Sequence, residues 1–354
     1  MNGRRDPDNV EITVGATRVR PGERASVDLP VANLYTNTSL HMPVHVVCGR
    51  RRGPTLFVSA AVHGDEINGV EIIRRLLALR ALGRLRGTLL AVPVVNVHGF
   101  LDRSRYLPDR RDLNRSFPGS PRGSIAARLA NTFMKEVVLK ADLGVDLHTG
   151  ALDRSNLPQV RAWIRDDETL RLARAFGAPV VIGGDLRDGS LRACAQEQGI
   201  PVLVYEAGEA LRFDEVSIRA GLRGILRIMR KIGMLQRRKD GPENRTVVAS
   251  ETTWVRAPAS GIVVEKAPLG RMVAKGERLA QVTDPLGTRT EDVTAPLRGM
   301  IIGRSNLPLA HEGDALFHLA SFDSAARARD AVEEFASIHD PGLGRTVESE
   351  LMGT

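Results

Sequence analysis

Five near-continuous apolar runs mark the middle of the chain, and such runs are typical of strands that are covered on both faces of a sheet. They occupy residues 55–62, 88–95, 143–149, 178–184 and 200–208. Helical patterns separate or follow them at residues 66–84, 124–139, 168–176 and 216–232. Strands that alternate with helices of this length predict an α/β fold, with a mixed, largely parallel sheet and helices on both faces.

The two ends of the chain have other patterns. Residues 10–48 alternate apolar and polar positions, which predicts strands that enter the same sheet. Polar and helix-breaking residues at 236–245 predict a linker. Beyond it, passages 252–287 and 291–320 resemble each other, since each has an Ala-Pro pair, a glycine three residues later and then short apolar strands. We therefore predict a catalytic α/β domain at 1–240, a small all-β C-terminal domain at 250–320, and a tail at 321–354 that is a helix or a loose end.

Composition narrows the class of protein. The net charge is +8, but only six of the 50 basic residues are lysines, and the aromatic content is 4%. The sequence does not predict a nucleic-acid surface, because residues 236–239 are the one short basic run and aromatic residues are few. The positive net charge favours only a mild attraction for small anions. Neither a signal-peptide core nor a long apolar segment occurs, so no membrane association is expected. Cys48 and Cys194 form no metal or disulfide motif, which suits the cytoplasm.

Candidate metal ligands follow two of the apolar runs. His63 and Glu66 form an HxxE pair, and His148 ends the run at 143–149. Two histidines and one glutamate are a common protein ligand set for catalytic zinc, with a fourth position open to water. An HxxE pair by itself is frequent, but a second histidine at a strand end strengthens the prediction. We expect His63 to end its strand and Glu66 to lie in the first turn of a helix, which Asp65 or its neighbour can cap.

Two carboxylates are candidates for supporting roles. Asp146 precedes His148 by two residues on one strand and can accept the second imidazole N–H, although a backbone carbonyl could do so equally well. Glu206 follows four apolar residues and is the candidate general base, with Glu209 as the competitor. Three further histidines are expected to have packing or solvent roles: His98, His311 and His318.

An arginine-rich segment at 105–119 is the second polar cluster. Guanidinium groups grip carboxylates through paired hydrogen bonds, so a loop of this composition near a metal is typical of an anion clamp. The cluster contains Arg105, Arg110, Arg111, Asp112, Asn114 and Arg115.

In this order, the HxxE pair, RDLNR, DLHTG and YEAGE make the chain resemble the succinylglutamate desuccinylase and aspartoacylase family, zinc-dependent amidohydrolases related to the zinc carboxypeptidases. The resemblance covers roughly residues 47–320 and includes a small C-terminal β-domain. It implies that one zinc ion binds to His63, Glu66 and His148. It further implies that Glu206 is the base, that Asn114 and Arg115 hold the substrate carboxylate, and that Arg105 polarises the scissile carbonyl, with Arg110 or Arg111 as alternatives.

The expected activity is hydrolysis of the amide bond in an N-acyl amino acid or a similar small anionic molecule, with Arg111 as a further substrate-binding residue. A zinc carboxypeptidase that acts on short peptides is the alternative. The family's C-terminal substrate-binding tyrosine has no counterpart, since the three tyrosines are Tyr35, Tyr106 and Tyr205, and the acyl group and amino acid stay open. A carrier domain is disfavoured, because such carriers need a lysine at a hairpin tip and no lysine follows Lys275. A homo-oligomer is neither predicted nor excluded.

Overall fold

The computed structural model of the chain describes residues 11–184, 186–237 and 245–339. Its strands are β1 Ile12–Val14, β2 Thr17–Val19, β3 Arg24–Asn33, β4 Ser39–Cys48, β5 Arg51–Ala60, β6 Arg86–Val92, β7 Leu143–Gly150, β8 Arg154–Ala162, β9 Val180–Gly183, β10 Val202–Glu209, β11 Val247–Ala249, β12 Glu251–Arg256, β13 Gly261–Val264, β14 Met272–Val273, β15 Arg278–Thr283, β16 Thr290–Thr294, β17 Gly299–Ser305, β18 Leu309–Ala310 and β19 Ala315–Ser321. Its α-helices are α1 Asn68–Leu77, α2 Val97–Asp102, α3 Ile125–Glu136, α4 Asp167–Phe176, α5 Leu191–Glu197, α6 Glu215–Lys231 and α7 Ala325–His339. Short 3₁₀ helices lie at Arg80–Arg84, Leu113–Arg115 and Val138–Lys140.

A large mixed sheet forms the centre of the molecule. Its main path runs β12-β19-β17-β8-β10-β7-β5-β6-β4-β3. The four strands β6, β5, β7 and β10 are parallel neighbours, and the strands on either side of them pair antiparallel. The predicted fold class, a mixed sheet with helices and a β-rich C-terminal region, is confirmed.

Helices cover both faces of this sheet, and the side chains of each strand alternate between two apolar cores. On one face, α1, α4 and α6 pack on Val58, Val145 and Tyr205. On the other face, α3 and α5 pack on Phe57 and Val202. Because successive side chains of a strand point to opposite faces, Asp146 and His148 both turn away from the face that holds Val145. This alternation sets which residues can meet at the site.

Two predicted boundaries near the site are wrong. His63 does not end its strand, because β5 ends at Ala60. Glu66 is not in the first turn of a helix, because α1 begins at Asn68 and its N-cap, Ile67, makes no side-chain capping bond. The physical reason is that the Glu66 carboxylate turns inward to the two histidines, so the chain makes a separate tight turn before the helix starts.

The C-terminal strands do not form one separate sheet. Strands β16, β15, β13 and β18 make a four-stranded sheet, but β12, β19 and β17 continue the central sheet through the pairing of β17 with β8. The described part of the tail is the helix α7. Most of the predicted linker, residues 238–244, lies outside the described residues, and the domain division stays a prediction. No helix in the described ranges is long and apolar enough to cross a membrane.

Two buried histidines make the stability of the fold depend on pH. Burial, together with the cations Arg161 and Arg187, lowers the pKa of His318 to about 3. Burial lowers the pKa of His339 to about 4. The unfolded chain binds these protons near pH 6.5, whereas the folded chain does not, so the free energy of unfolding should fall as the pH drops from about 6.5 toward 4. The expected loss is on the order of a few kcal/mol.

Denaturant unfolding at several pH values checks this expectation. His318→Phe should reduce the slope of stability against pH by up to about one proton, because the aromatic ring can still stack on Trp254. His311→Gln, a change at an exposed histidine, is the control and should leave the slope as it is. An unchanged slope in His318→Phe would show that His318 is not held neutral.

Candidate metal centre and active site

A strained, tightly packed turn after β5 carries the first candidate ligand. Ala61, directly after the strand, has φ +50°, a left-handed conformation that costs energy for a residue other than glycine. The backbone N–H groups of Val95 and Asn96 donate to the carbonyls of Ala60 and Ala61 and hold the turn. Gly64 then packs so closely that a Cβ atom would lie 2.0 Å from the backbone of Gly99. Strain of this kind is common where a backbone must present a functional side chain.

The three predicted metal ligands meet at one point. Ligand atoms of His63, Glu66 and His148 lie within 4.8 Å of one another, and all three residues are buried. The two imidazole rings are 5.0 Å apart, between centroids. The Nδ1 atoms of His63 and His148 lie 2.8 and 2.7 Å from the two oxygens of the Glu66 carboxylate. Residues that are far apart in sequence therefore converge as the pattern predicts.

A carboxylate orients each imidazole from its other side. The Nε2 atom of His148 lies 2.7 Å from Asp146, which also accepts a hydrogen bond from the Ser59 hydroxyl at 2.7 Å. The Nε2 atom of His63 lies 3.2 Å from Asp112. Both Nε2 atoms thus contact a carboxylate, and both Nδ1 atoms face the point where the three candidate ligands converge. This arrangement is typical of histidines that bind a metal.

The charges of the cluster are strongly coupled. Burial opposes ionisation of Glu66, but the two histidines outweigh it and hold the pKa of its carboxyl far below the usual range. Burial likewise opposes charge on the imidazoles, but Glu66 and the outer carboxylates Asp146 and Asp112 raise the pKa of His148 and His63. A buried set of two imidazole nitrogens and one carboxylate oxygen, with acids behind the imidazoles, fits Zn²⁺.

Arg105 is the arginine of the 105–119 segment that reaches this cluster. Its guanidinium donates to Glu66 at 3.2 Å and to Asp112 at 3.1 Å. Burial disfavours its charge, but these two carboxylates outweigh burial and raise the pKa of Arg105, so the group stays protonated. Asn96 holds the loop, since its side chain donates to the Arg105 carbonyl at 3.4 Å.

The structure does not bring the two neighbouring arginines to the site. Arg111 is exposed, and its guanidinium donates to the Ser124 hydroxyl at 3.3 Å and lies 3.7 Å from Asp109. Arg110 has φ +62° and also lies outside the cavity that holds the ligands. The expectation that Arg111 binds substrate, and the alternative roles of Arg110 and Arg111, are therefore not supported. The reason is the turn at residues 107–111, which points these side chains outward.

Asn114 and Arg115 do line the cavity. The Asn114 side-chain carbonyl accepts the backbone N–H of Leu191 at 2.9 Å, which fixes the amide and leaves its NH₂ group as the donor end. Arg115 is exposed at the cavity, and one of its guanidinium nitrogens lies 2.5 Å from the backbone carbonyl oxygen of Asn114. The 3₁₀ helix at Leu113–Arg115 places both side chains, and Asp112 caps it.

Glu206 lines the same cavity, and Glu209 does not. Glu206 is the parallel neighbour of His148 across β10 and β7. Its carboxylate accepts a hydrogen bond from the Asn156 amide at 2.7 Å and lies 3.3 Å from the Arg161 guanidinium. Glu209 instead ties strand ends together, since it accepts bonds from the Asp153 N–H, the Ser155 hydroxyl and the Asn306 amide. The structure thus separates two glutamates that the sequence leaves as rivals.

The cavity has a volume of about 590 Å³ and is lined by residues that lie between His63 and Ala315 in the sequence. Sequence analysis missed Asp112 as a partner of His63, and it missed Asn156 and Arg161 as partners of Glu206. No local motif marks these residues, because each meets its partner only through the sheet or the arginine-rich loop. It also missed the side chains that β12 and β17 supply to the cavity wall.

Comparisons with known proteins identify the family of the chain. The sequence model of the succinylglutamate desuccinylase/aspartoacylase catalytic domain matches residues 52–232, just over half of the chain. N-alpha-acetyl-L-2,4-diaminobutyric acid deacetylase of Halomonas elongata is 26% identical over 305 residues, which cover 82% of this chain and 89% of that enzyme.

Two solved structures extend the likeness to the fold. The product-bound ectoine utilization protein EutE (DoeB) of Ruegeria pomeroyi has a TM-score of 0.77 and 26% identity, with 84% of this chain and 95% of that one covered. A succinylglutamate desuccinylase/aspartoacylase of Rhodobacter sphaeroides has a TM-score of 0.75 and 26% identity, with 84% and 96% covered. The chain therefore belongs to the succinylglutamate desuccinylase/aspartoacylase family of deacylases.

Proposed function

We propose that the protein is a zinc-dependent hydrolase that cleaves the amide bond of N-acyl amino acids. The observation that carries this proposal is the convergence of His63, Glu66 and His148 in a cavity that also holds Glu206 and Arg105. These are the parts that amide hydrolysis needs: a metal, a base and a cation for the developing oxyanion. Similarity to a deacetylase of an N-acetylated amino acid supports the same reaction class.

His63, Glu66 and His148 would hold the zinc ion. Zinc in such a set supplies Lewis acidity toward water and toward a carbonyl group. Glu206 accepts the proton of the attacking water and passes it to the leaving nitrogen. Asn156 holds the Glu206 carboxylate for this task through its 2.7 Å hydrogen bond. Arg105, which stays charged between two carboxylates, donates to the oxygen on which negative charge develops.

The free carboxylate of the substrate would bind to Asn114 and Arg115. The Asn114 amide is oriented by Leu191, and the Arg115 guanidinium is exposed to the cavity. A guanidinium bonded to a carboxylate is a strong, directional pair.

Arg115→Ala should therefore raise KM for carboxylate substrates by about 10–100-fold and change kcat much less, since a hydrogen bond to a charged group contributes roughly 1.5–3 kcal/mol. Steady-state kinetics on an N-acyl amino acid measures both constants. Arg111→Ala is the matched control from the same segment, because its side chain lies outside the cavity. An unchanged KM in Arg115→Ala would rule out the clamp.

A carboxypeptidase acting on short peptides would share the metal set and the clamp. The cavity weighs against it, because residues of β12 and β17 contribute to its lining and its volume is about 590 Å³, which suits a small molecule. A hydrolysis screen of N-acyl amino acids and dipeptides, with zinc present, separates the two. Release of amino acids from the N-acyl compounds alone is the expected result, and cleavage of dipeptides alone would overturn the proposal.

The cellular compartment and the partner of the enzyme are also part of the proposal. Cys48 and Cys194 form no disulfide or metal motif in the sequence, which supports a cytoplasmic setting. We expect a small anionic substrate as the partner, without a nucleic acid or a membrane.

A further inference from the structure

A row of residues crosses the sheet from the C-terminal strands toward the base. Trp254 of β12 is the antiparallel partner of His318 of β19. His318 also pairs with Gly303 of β17, and Gly303 pairs with Asn156 of β8. Asn156 in turn donates to the Glu206 carboxylate at 2.7 Å. Because directly opposite residues of antiparallel strands point to one face, the first four residues form a line on the same side of the sheet, which we call the cross-sheet row.

Contacts between the side chains confirm that the row shares one face. The Trp254 and His318 rings stack with their centroids 4.4 Å apart and their planes 3° apart. A Cβ atom on Gly303 would lie 3.2 Å from the Cβ of His318 and 2.9 Å from the side-chain oxygen of Asn156. Since Gly303 has no side chain, it leaves a space that His318 and Asn156 border from the two neighbouring strands.

His318 carries an unpartnered polar atom beside this space. The residue is 3% exposed, and its Nδ1 atom has no hydrogen-bond partner among the residues that the structure describes. Burial, together with the cations Arg161 and Arg187, lowers the pKa of His318 to about 3, so the ring is neutral and carries one N–H. Buried polar atoms in folded proteins are usually satisfied, and where no protein group reaches them an ordered water does so.

Asn156 offers the complementary group on the other side of the space. Its NH₂ group donates to the Glu206 carboxylate, which can only accept, so its side-chain carbonyl oxygen is the end turned away from the base. That oxygen is the atom that lies close to Gly303. A side-chain amide can turn about its last bond, and a donor on the carbonyl side therefore keeps the NH₂ end directed at Glu206.

We propose that His318 is a positioning residue for the base Glu206 and acts through Asn156. The Nδ1–H group of His318 donates to an ordered water above Gly303, and this water donates to the side-chain carbonyl of Asn156. Asn156 is thereby held with its NH₂ group on the Glu206 carboxylate. This inference rests on the proposed function. It gives the C-terminal strands a part in hydrolysis, because they orient the base that β10 carries.

Steady-state kinetics of the zinc-loaded full chain on an N-acyl amino acid tests this role. His318→Phe keeps an aromatic ring to stack on Trp254 but removes both ring nitrogens. It should lower kcat by about tenfold, change KM by less than about twofold and leave the zinc content unchanged, because only the orientation of the base is lost. Gly303→Ala should cause a similar loss, since its methyl group would fill the space of the water. His41→Phe, at an exposed histidine of β4 outside the cavity, is the matched control and should keep kcat.

A double-mutant cycle separates a positioning role from a general loss of structure. In an Asn156→Ala background the amide that His318 orients is missing, so His318→Phe should lower kcat further by less than about twofold. Equal losses in the two backgrounds, or a normal kcat in His318→Phe alone, would overturn the proposal.

NMR of the histidine ring nitrogens gives a test that does not depend on hydrolysis. In the full chain, with and without zinc, His318 should give the signals of a neutral ring with its proton on Nδ1. Asn156→Ala and Gly303→Ala should each shift the Nδ1 signal of His318, and His41→Phe should not. A signal that neither of the first two variants shifts would refute the bridge. Failure of the wild type to hydrolyse any N-acyl amino acid would instead refute the proposed function, and the NMR result would still decide whether the bridge exists.

Discussion

Glu206→Gln should lower kcat by about 10²–10⁴-fold, because a general base in place typically contributes that much. The substitution keeps the shape of the side chain and its contact with Asn156 while it removes the proton acceptor. Zinc should stay bound, since Glu206 is not among the three converging ligands. Steady-state kinetics with metal analysis of the same preparation measures both quantities.

The matched control is Glu209→Gln, on the same strand. Glu209 bonds to the Asp153 N–H, Ser155 and Asn306 and does not line the cavity, so its loss should leave kcat within a few-fold. A Glu206→Gln enzyme with near-normal kcat would remove Glu206 as the base. A large loss in Glu209→Gln alone would move the role to that residue.

His148→Ala should abolish both zinc binding and activity. The variant removes one of three ligands, and metal assistance contributes several kcal/mol to a hydrolysis, which corresponds to about 10³-fold or more in rate. Equilibrium dialysis against zinc, followed by activity assays, measures the two losses together. Full activity without bound metal would contradict the proposed mechanism.

A graded variant separates the ligand from the residue behind it. Asp146→Asn keeps His148 but removes the charge that orients its Nε2, so the affinity for zinc should fall by about 10–100-fold. The activity of this variant should recover at high zinc concentration. His148→Ala should not recover. Equal behaviour of the two variants would mean that Asp146 acts as a ligand itself.

The strand pattern could be predicted from the sequence because burial on both faces leaves a plain signature. The runs that became β5 and β7 are apolar almost throughout, and parallel neighbours bring their carboxyl ends to one edge of the sheet. That edge is where His63 and His148 meet. The strand β8 was not predicted, because it contains polar residues that face the cavity and pairs antiparallel with β10.

Predictions from neighbouring residues failed where contacts within the site determine the structure. The glutamate of the HxxE pair was expected in the first turn of a helix. Glu66 instead contacts two histidines and the N–H of Thr149, and α1 starts two residues later. Asp112 was grouped with the anion clamp by its neighbours in sequence, whereas it lies against His63, 49 residues away. Such contacts depend on how loops cross the sheet edge, which periodicity does not encode.

The role of the C-terminal residues was the least predictable. Two similar passages indicated a small β unit, yet four of its described strands, β12, β14, β17 and β19, belong to the central sheet. Of these, β12 and β17 carry Trp254, Arg256 and Arg304 to the cavity. Each of these residues looks like an ordinary surface residue of a strand in the sequence. The pairing of β17 with β8 and the pairing of β11, just before β12, with β9 bring them to the cavity that holds the metal ligands.

X-ray anomalous scattering at the zinc absorption edge, from crystals of the unmodified protein, tests the metal centre most directly. We predict one peak per chain, about 2.0–2.2 Å from a nitrogen of His63, a nitrogen of His148 and a carboxylate oxygen of Glu66. A zinc-saturated crystal with no peak at these three side chains, or with its zinc bound elsewhere, would contradict the account.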